Sequence, residues 1–288
     1  MAIIKNPTTL VISSSPASQE KIHSTKPSLD YTEPTSWSSK TWSGLSYIYG
    51  YNIWTDGENI YYSNSSSHYV LNKATSTWSS KTWNGVTSFN GQYIWTDGEN
   101  IYLSPGTSGD YVLDKTTSSW VSKTWVGFTN FLGQYIWTDG ENIYYSGSAQ
   151  YVLDKATSTW SSKTWNGVTN ISGNEVWTDG ENIYFSNGSS QYVLDKSTST
   201  WSAKTWTGLT DFRGTDVWTD GENIYCSNGS NQYILDKSNS TWSAKTWTGA
   251  SSFMGRNVWT DGGNIYHSYE TTHYMLNTPI SNRKTEIK

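Results

Sequence analysis

The chain has 288 residues and a formal net charge of −5; only 34% of it is hydrophobic, yet it holds 18 Trp and 21 Tyr. Arg213, Arg256 and Arg283 are its arginines, so no basic stripe exists for a phosphate backbone, and nucleic acid is not an expected partner. A lone cysteine, Cys226, excludes an intrachain disulfide; no apolar run suits membrane insertion, and Met1 to Pro7 lack the features of a signal peptide, so a soluble protein is expected.

Residues 1–35 carry a short β-prone run, Thr9 to Ile12, and then Ser, Thr, Lys and Pro, the composition of an arm or linker that orders on a structural partner. From Trp37 the pattern Trp-x4-Trp-x11-Trp occurs six times, opening at Trp37, Trp78, Trp120, Trp160, Trp201 and Trp242, with spacings of 41, 42, 40, 41 and 41. That period matches one four-stranded propeller blade. Each buried Trp or Tyr removes roughly 150 to 250 Å² from water, about 4 to 6 kcal/mol gross at ~25 cal/mol per Å², so aromatic residues can sustain a core otherwise poor in aliphatics.

Within a copy, a β-rich run ending Trp95-Thr96 meets Asp97-Gly98 and a second run from Ile101; all copies have this Asp-Gly step, read here as a two-residue type I′ hairpin with both residues at positive φ. A small polar loop, Pro105 to Asp110, precedes a third strand, Tyr111 to Lys115, and a Thr/Ser turn leads to a fourth, Trp120 to Trp125. Apolar residues on both faces require each sheet to be sandwiched between neighbours, which six blades satisfy by closing into a ring. The chain enters the pattern on a fourth strand and leaves it, near Asn277, after a third. Ser36 to Trp42 is therefore expected to complete the blade formed by Phe253 to Asn277. The resulting organisation is an arm over 1–35, an all-β six-bladed propeller over 36–277, and a mildly basic tail over 278–288.

The order of an inner hairpin, Ile101-Tyr102 on the second strand, Asp114 at the end of the third and Trp120 opening the fourth resembles a kelch repeat over about 240 residues, with Asn72 and Asn277 replacing the Asp in two copies. It departs from that pattern in placing Ser104 and its equivalents where kelch repeats carry a Gly-Gly pair. The stretch from Trp54 to Ser63, with Lys81 to Trp83, is also similar to repeats in predicted tail and virion proteins of tailed bacteriophages. Fold alone fixes no function, since kelch-like propellers serve as enzymes, adaptors and adhesins.

Residues such as Asp97 and Glu99 would ring one end of the propeller with carboxylates, a conceivable cation site, but Asp-Gly is accounted for by the turn itself. Lys40, Lys81, Lys123, Lys163, Lys204 and Lys245 lie between paired Trps, as cation–π stacking requires. His68, His267 and His273 hint at a metal without an accompanying acidic pattern, and read as exposed loop histidines; no metal and no cofactor is expected. A sialidase-like site lacks its arginines, Cys226 stands where other copies place core aromatics rather than in a copper-oxidase set, and no nucleophile elbow is present, so no enzyme is expected.

Copies differ most in the loop after the second strand and in the approach to the first, both at the same end of the ring by strand alternation. The candidate ligand-binding residues are Tyr51, Tyr93, Tyr135, Glu175, Arg213, Asp216, Arg256 and Asn257. Aromatic, amide and charged groups together suit a protein or a glycan on a surface. The expected function is a noncatalytic interaction or adhesion propeller on a virion or extracellular surface, in its most specific form a phage tail or virion component for host attachment; the alternative is a carbohydrate-binding lectin.

Overall fold

The computed structural model describes residues 33–106, 109–129 and 131–277. Among them the chain forms six antiparallel sheets in a ring, a β-propeller. Blade one comprises Ile53–Thr55, Ile60–Asn64, Ser67–Asn72 and Thr77–Ser80, paired in that order. Blades two to five repeat this arrangement over 94–123, 136–162, 176–203 and 217–244.

Blade six is built from both ends of the described chain. Val258–Thr260, Ile265–Glu270 and Thr272–Leu276 form three strands, and Trp37–Ser39 supplies the fourth in the register Trp37↔Leu276. The predicted closure is therefore present. Its seam repeats the bond found at the other five: Trp37 N–H donates to Thr248 C=O at 2.8 Å, as Trp78 N–H does to Ser43 C=O. The predicted arm over 1–35, apart from residues 33–35, and the tail over 278–288 lie outside the described residues.

Aromatic packing holds neighbouring blades together. Trp95 and Tyr102 of blade two share a cluster with Phe131, Ile136, Tyr145 and Trp160 from the blade-three side, and equivalent clusters fill the other seams. The third Trp of each copy donates its indole N–H to a wholly buried serine, as Trp95 does to Ser104 at 3.0 Å and Trp177 to Ser186 at 2.8 Å. That bond explains serine at a position where a kelch repeat has glycine: a buried indole N–H left without an acceptor would be costly.

Two contacts set how close the blades approach. Gly44 sits at φ +81 with the place of a Cβ only 2.0 Å from Trp78 C=O, and Gly91 would place one 2.1 Å from Asn52 C=O of blade one. No residue with a side chain fits either place without moving the backbone. Lysine adds a further clasp. Lys81 Nζ lies 4.7 Å from the Trp83 ring and donates to Ser118 of the next blade at 2.8 Å. Lys245, at the end of blade five, meets in blade six two strands from opposite ends of the chain instead of a serine turn, and Glu33 with Pro34 C=O takes its place.

The hairpin between the first and second strands differs from the expected two-residue type I′ turn. Pairing ends at Thr55↔Ile60, which leaves a four-residue loop in which Gly57 is at φ +94 while Asp56 keeps an ordinary negative φ. The reason is the Asp56 carboxylate: Oδ1 accepts the N–H groups of Glu58 and Asn59 at 3.0 and 2.7 Å, and Oδ2 accepts the Tyr61 hydroxyl at 2.8 Å. These bonds fix a wider loop that needs left-handed backbone only at glycine.

Candidate recognition rim

Each blade's first strand is preceded by a three-residue 3-10 turn, such as Gly91–Tyr93 or Gly173–Glu175, and each turn touches those of both neighbouring blades, so the six form a continuous circle. The loop after the second strand lies at the same end, since Ile53 pairs with Tyr62 and Phe89 N–H donates to Ser65 C=O. The two variable segments thus share one rim, as strand alternation requires.

The third residue of each turn, taken from blade one to blade six, is Asn52, Tyr93, Tyr135, Glu175, Asp216 and Asn257. Five of these are predicted candidates; Asn52 completes the circle. Asn52, Glu175, Asp216 and Asn257 are buried. Tyr93 and Tyr135 are half-buried and pack against core clusters, with the Tyr135 ring edge-on to Tyr145 at 6.1 Å, so they contribute to packing as well as to the rim. Arg213 and Arg256 are exposed, and Tyr51 is half-buried.

Charge acts across three seams, in one of them through an ion pair. Arg213 Nη1 lies 3.8 Å from Glu175 Oε1, Arg256 and Arg213 act on Asp216, and Arg256 also acts on Tyr51. Burial raises the Asp216 carboxyl to about 6 despite these arginines. Burial likewise raises Glu175, aided by the charge of Asp216 and opposed by Arg213. Such carboxylates are retained in the fold at a cost, which marks the rim as a functional candidate.

Histidine placement departs from expectation. His68 and His273 are buried, not exposed, and their Nε2 atoms bond Thr87 and Ser46 C=O at 2.9 and 3.0 Å. Gln191 and Gln232 fill the same position in blades four and five and donate to Phe212 and Phe253 C=O, each at 3.3 Å. Either residue type supplies a buried N–H donor there, whereas blade two carries a buried carboxylate, Asp110, at the same position. His267 is also buried, with neither ring nitrogen hydrogen-bonded, against Phe253 at 5.0 Å. Cys226, at the equivalent place in blade five, is a buried core group as predicted. Among the described residues no cluster of three or more His, Cys, Asp or Glu is arranged to hold a metal ion.

One predicted candidate, Tyr51, belongs to a larger tyrosine group at the seam of blades six and one. Ile48–Tyr49 forms a short additional strand on Tyr269 and Glu270. Tyr49 stacks on Tyr51 at 5.1 Å and meets Tyr47 and Tyr269 edge-on at 5.4 and 5.5 Å. Tyr47 and Tyr269 are 46% and 41% exposed, high for such large rings. Ring closure brings Tyr269 there from the far end of the sequence.

No protein-family model and no curated protein sequence matches the chain. Solved structures do. The extracellular domain of a protein assigned to the hybrid two-component systems of B. thetaiotaomicron superposes with a TM-score of 0.53 at 11% identity, covering 85% of this chain and 42% of that one. A second extracellular domain of this kind from the same organism gives 0.50 at 11% identity, covering 82% of this chain and 34% of that one. The chain spans less than half the length of either, and the likeness establishes the propeller fold.

Proposed function

We propose that this chain is a noncatalytic recognition propeller with a kelch-like repeat, displayed on a particle or cell surface, whose first-strand rim binds a protein or glycan on another surface. A phage tail or virion component, carried by its N-terminal arm on a structural partner, is the most specific form of this reading. The observation that supports it is the unequal treatment of the two rims. At the hairpin rim the same carboxylate, amide and hydroxyl bonds recur from blade to blade. At the other rim the equivalent positions pass from amide to tyrosine to carboxylate. Packing needs repetition, whereas recognition of an asymmetric partner needs difference. Extracellular placement of the solved structural neighbours agrees with a surface role.

Binding of labelled protein to intact cells tests this. The double variant Arg213→Ala, Arg256→Ala should lose binding, while Glu99→Ala at the hairpin rim should keep it; equal effects would remove the rim from the proposal. Turnover of a glycoside or an oxidisable substrate by the purified protein would overturn the noncatalytic reading. The second reading, a carbohydrate-binding lectin, draws on the tyrosines at the blade six and blade one seam.

A further inference from the structure

We infer that the seam between blades six and one is a saccharide subsite, where a sugar ring lies against the exposed tyrosine faces while its hydroxyls pair with the flanking polar groups. This rests on the recognition reading above and names its ligand class. Tyr47, Tyr49, Tyr51 and Tyr269 form one aromatic group, with the Tyr47 and Tyr49 hydroxyls 2.9 Å apart and the Tyr49 hydroxyl donating to Glu270 at 3.5 Å. Exposed Arg256 acts on Tyr51 and supplies donors beside the same group.

Among the described residues no other blade builds this arrangement. The counterparts of Tyr49 are Asn90, Leu132, Ser172, Arg213 and Met254, and those of Tyr269 include Asn64, Asn187 and Asn228. Glu270 holds φ +54 at a turn position where blade one places left-handed Ser65 and blades four and five place Gly188 and Gly229; only blade six has a carboxylate there. The Glu270 carboxylate faces the tyrosine group, accepting the Tyr49 hydroxyl.

The chemistry favours a sugar over a protein partner. Exposed tyrosine rings flanked by hydroxyl, carboxylate and guanidinium groups match a ring with apolar C–H faces and polar edges. A stable protein interface needs about 800 Å² on each side with an apolar centre. Among the described residues the large exposed hydrophobics here are Tyr47 and Tyr269 alone; the others, Val121 and Val126, sit in and just beyond the outermost strand of blade two.

An array of neutral and acidic oligosaccharides, followed by calorimetric titration of the strongest binder, tests the assignment. Tyr47→Ala and Tyr269→Ala should each weaken that binder about tenfold, while Tyr269→Phe, which keeps the ring, should stay within about threefold. All three substitutions alter exposed side chains, and unchanged thermal melts would show that the fold is kept. Undiminished binding by both alanine variants would overturn the subsite and leave the recognition rim standing elsewhere. A blank array, with cell binding that still depends on Arg213 and Arg256, would overturn the saccharide and leave a protein partner. A blank array without cell binding would overturn both readings.

Discussion

The two rims of the ring are built from the same repeat and obey opposite rules. At the hairpin rim, Asp97, Asp139 and Asp220 each take a tyrosine hydroxyl at 2.8 to 2.9 Å, and lysines such as Lys115 and Lys196 reach across to hairpin carbonyls of the preceding blade. Burial there opposes ionisation, but hydrogen bonds from backbone N–H and tyrosine outweigh it, and Asp56, Asp97 and Asp139 are held below the usual carboxylate range. At the other rim burial dominates, and Glu175 and Asp216 are raised. One rim spends its carboxylates on folding. The other holds them against folding, so its chemistry has to be explained by something outside the fold.

The largest way to break this comparison is to open the ring, which removes both rims together. Deleting residues 1–43 takes away the fourth strand of blade six, with buried Trp37 and Trp42. Each tryptophan represents about 4 to 6 kcal/mol of gross burial, so the truncated chain should melt far below the full one or fail to fold. Deleting residues 1–27 leaves Glu33 and the closing strand and should barely move the melt. Similar melting temperatures for the two truncations would show that the closing strand is dispensable.

A smaller step separates the seams from the hairpin rim. Gly208 and Gly57 both have positive φ, but a Cβ at Gly208 would lie 1.9 Å from Trp242 C=O, whereas nothing lies within 4 Å of one at Gly57. Gly57→Ala should cost about 1 to 2 kcal/mol for its backbone alone. Gly208→Ala should cost that and about 1 to 3 kcal/mol more for pushing two blades apart. Denaturant melts of the two variants measure the difference directly, and equal losses would mean that close approach at the seam carries no energy.

The blades were legible because their signals are local and repeated: Trp spacing, the Asp-Gly step, and apolar residues on both strand faces. The ring closure was legible because the two chain ends are complementary fragments of one blade. The turn type was not, because Asp56 acts through its side chain, and a dipeptide read by backbone preference conceals three carboxylate bonds. Buried His68 was misplaced for a related reason. Its exchange with Gln191 and Gln232 in other copies was visible, and only the shared ability to donate an N–H links them. Most of the rim candidates were found by asking where copies differ. Tyr269 escaped that set because its partners, Tyr49 and Tyr51, come from the opposite end of the chain.

Asp216 sharpens the contrast between rims through pH. Its folded value, about 6, lies above the ordinary 3.8, so the stability it contributes is present in full below about 3.8 and is lost as pH rises through about 6. At pH 7.5 the ionised carboxylate costs about 3 kcal/mol at ~1.4 kcal/mol per pH unit. Asp216→Asn should therefore raise the melting temperature at pH 7.5 and leave it nearly unchanged at pH 3.5. The hairpin aspartates run the other way: Asp97→Asn should destabilise at neutral pH, and its effect should fade as acid protonates the native carboxylate. If both variants shifted the melt in the same direction at pH 7.5, the rims would not differ as described.

The smallest effect at neutral pH lies inside the core. His267 stands where other copies place Tyr62, Tyr145 and Phe185, and burial, with the nearby charge of His273, lowers its value from 6.5 to about 3. A lowered folded value contributes stability that is present above 6.5 and lost progressively as pH falls toward 3. His267→Phe restores the ring common to the other blades and removes two unbonded nitrogens. The gain at pH 7 should be about 1 kcal/mol, the lower end of what an unsatisfied buried polar group costs. It should widen as pH drops below 6.5, because the variant no longer has an imidazole to protonate. Melts of both proteins from pH 7 to pH 4 test this, and parallel curves would mean that folding does not lower the His267 value and that the residue plays no part in acid unfolding.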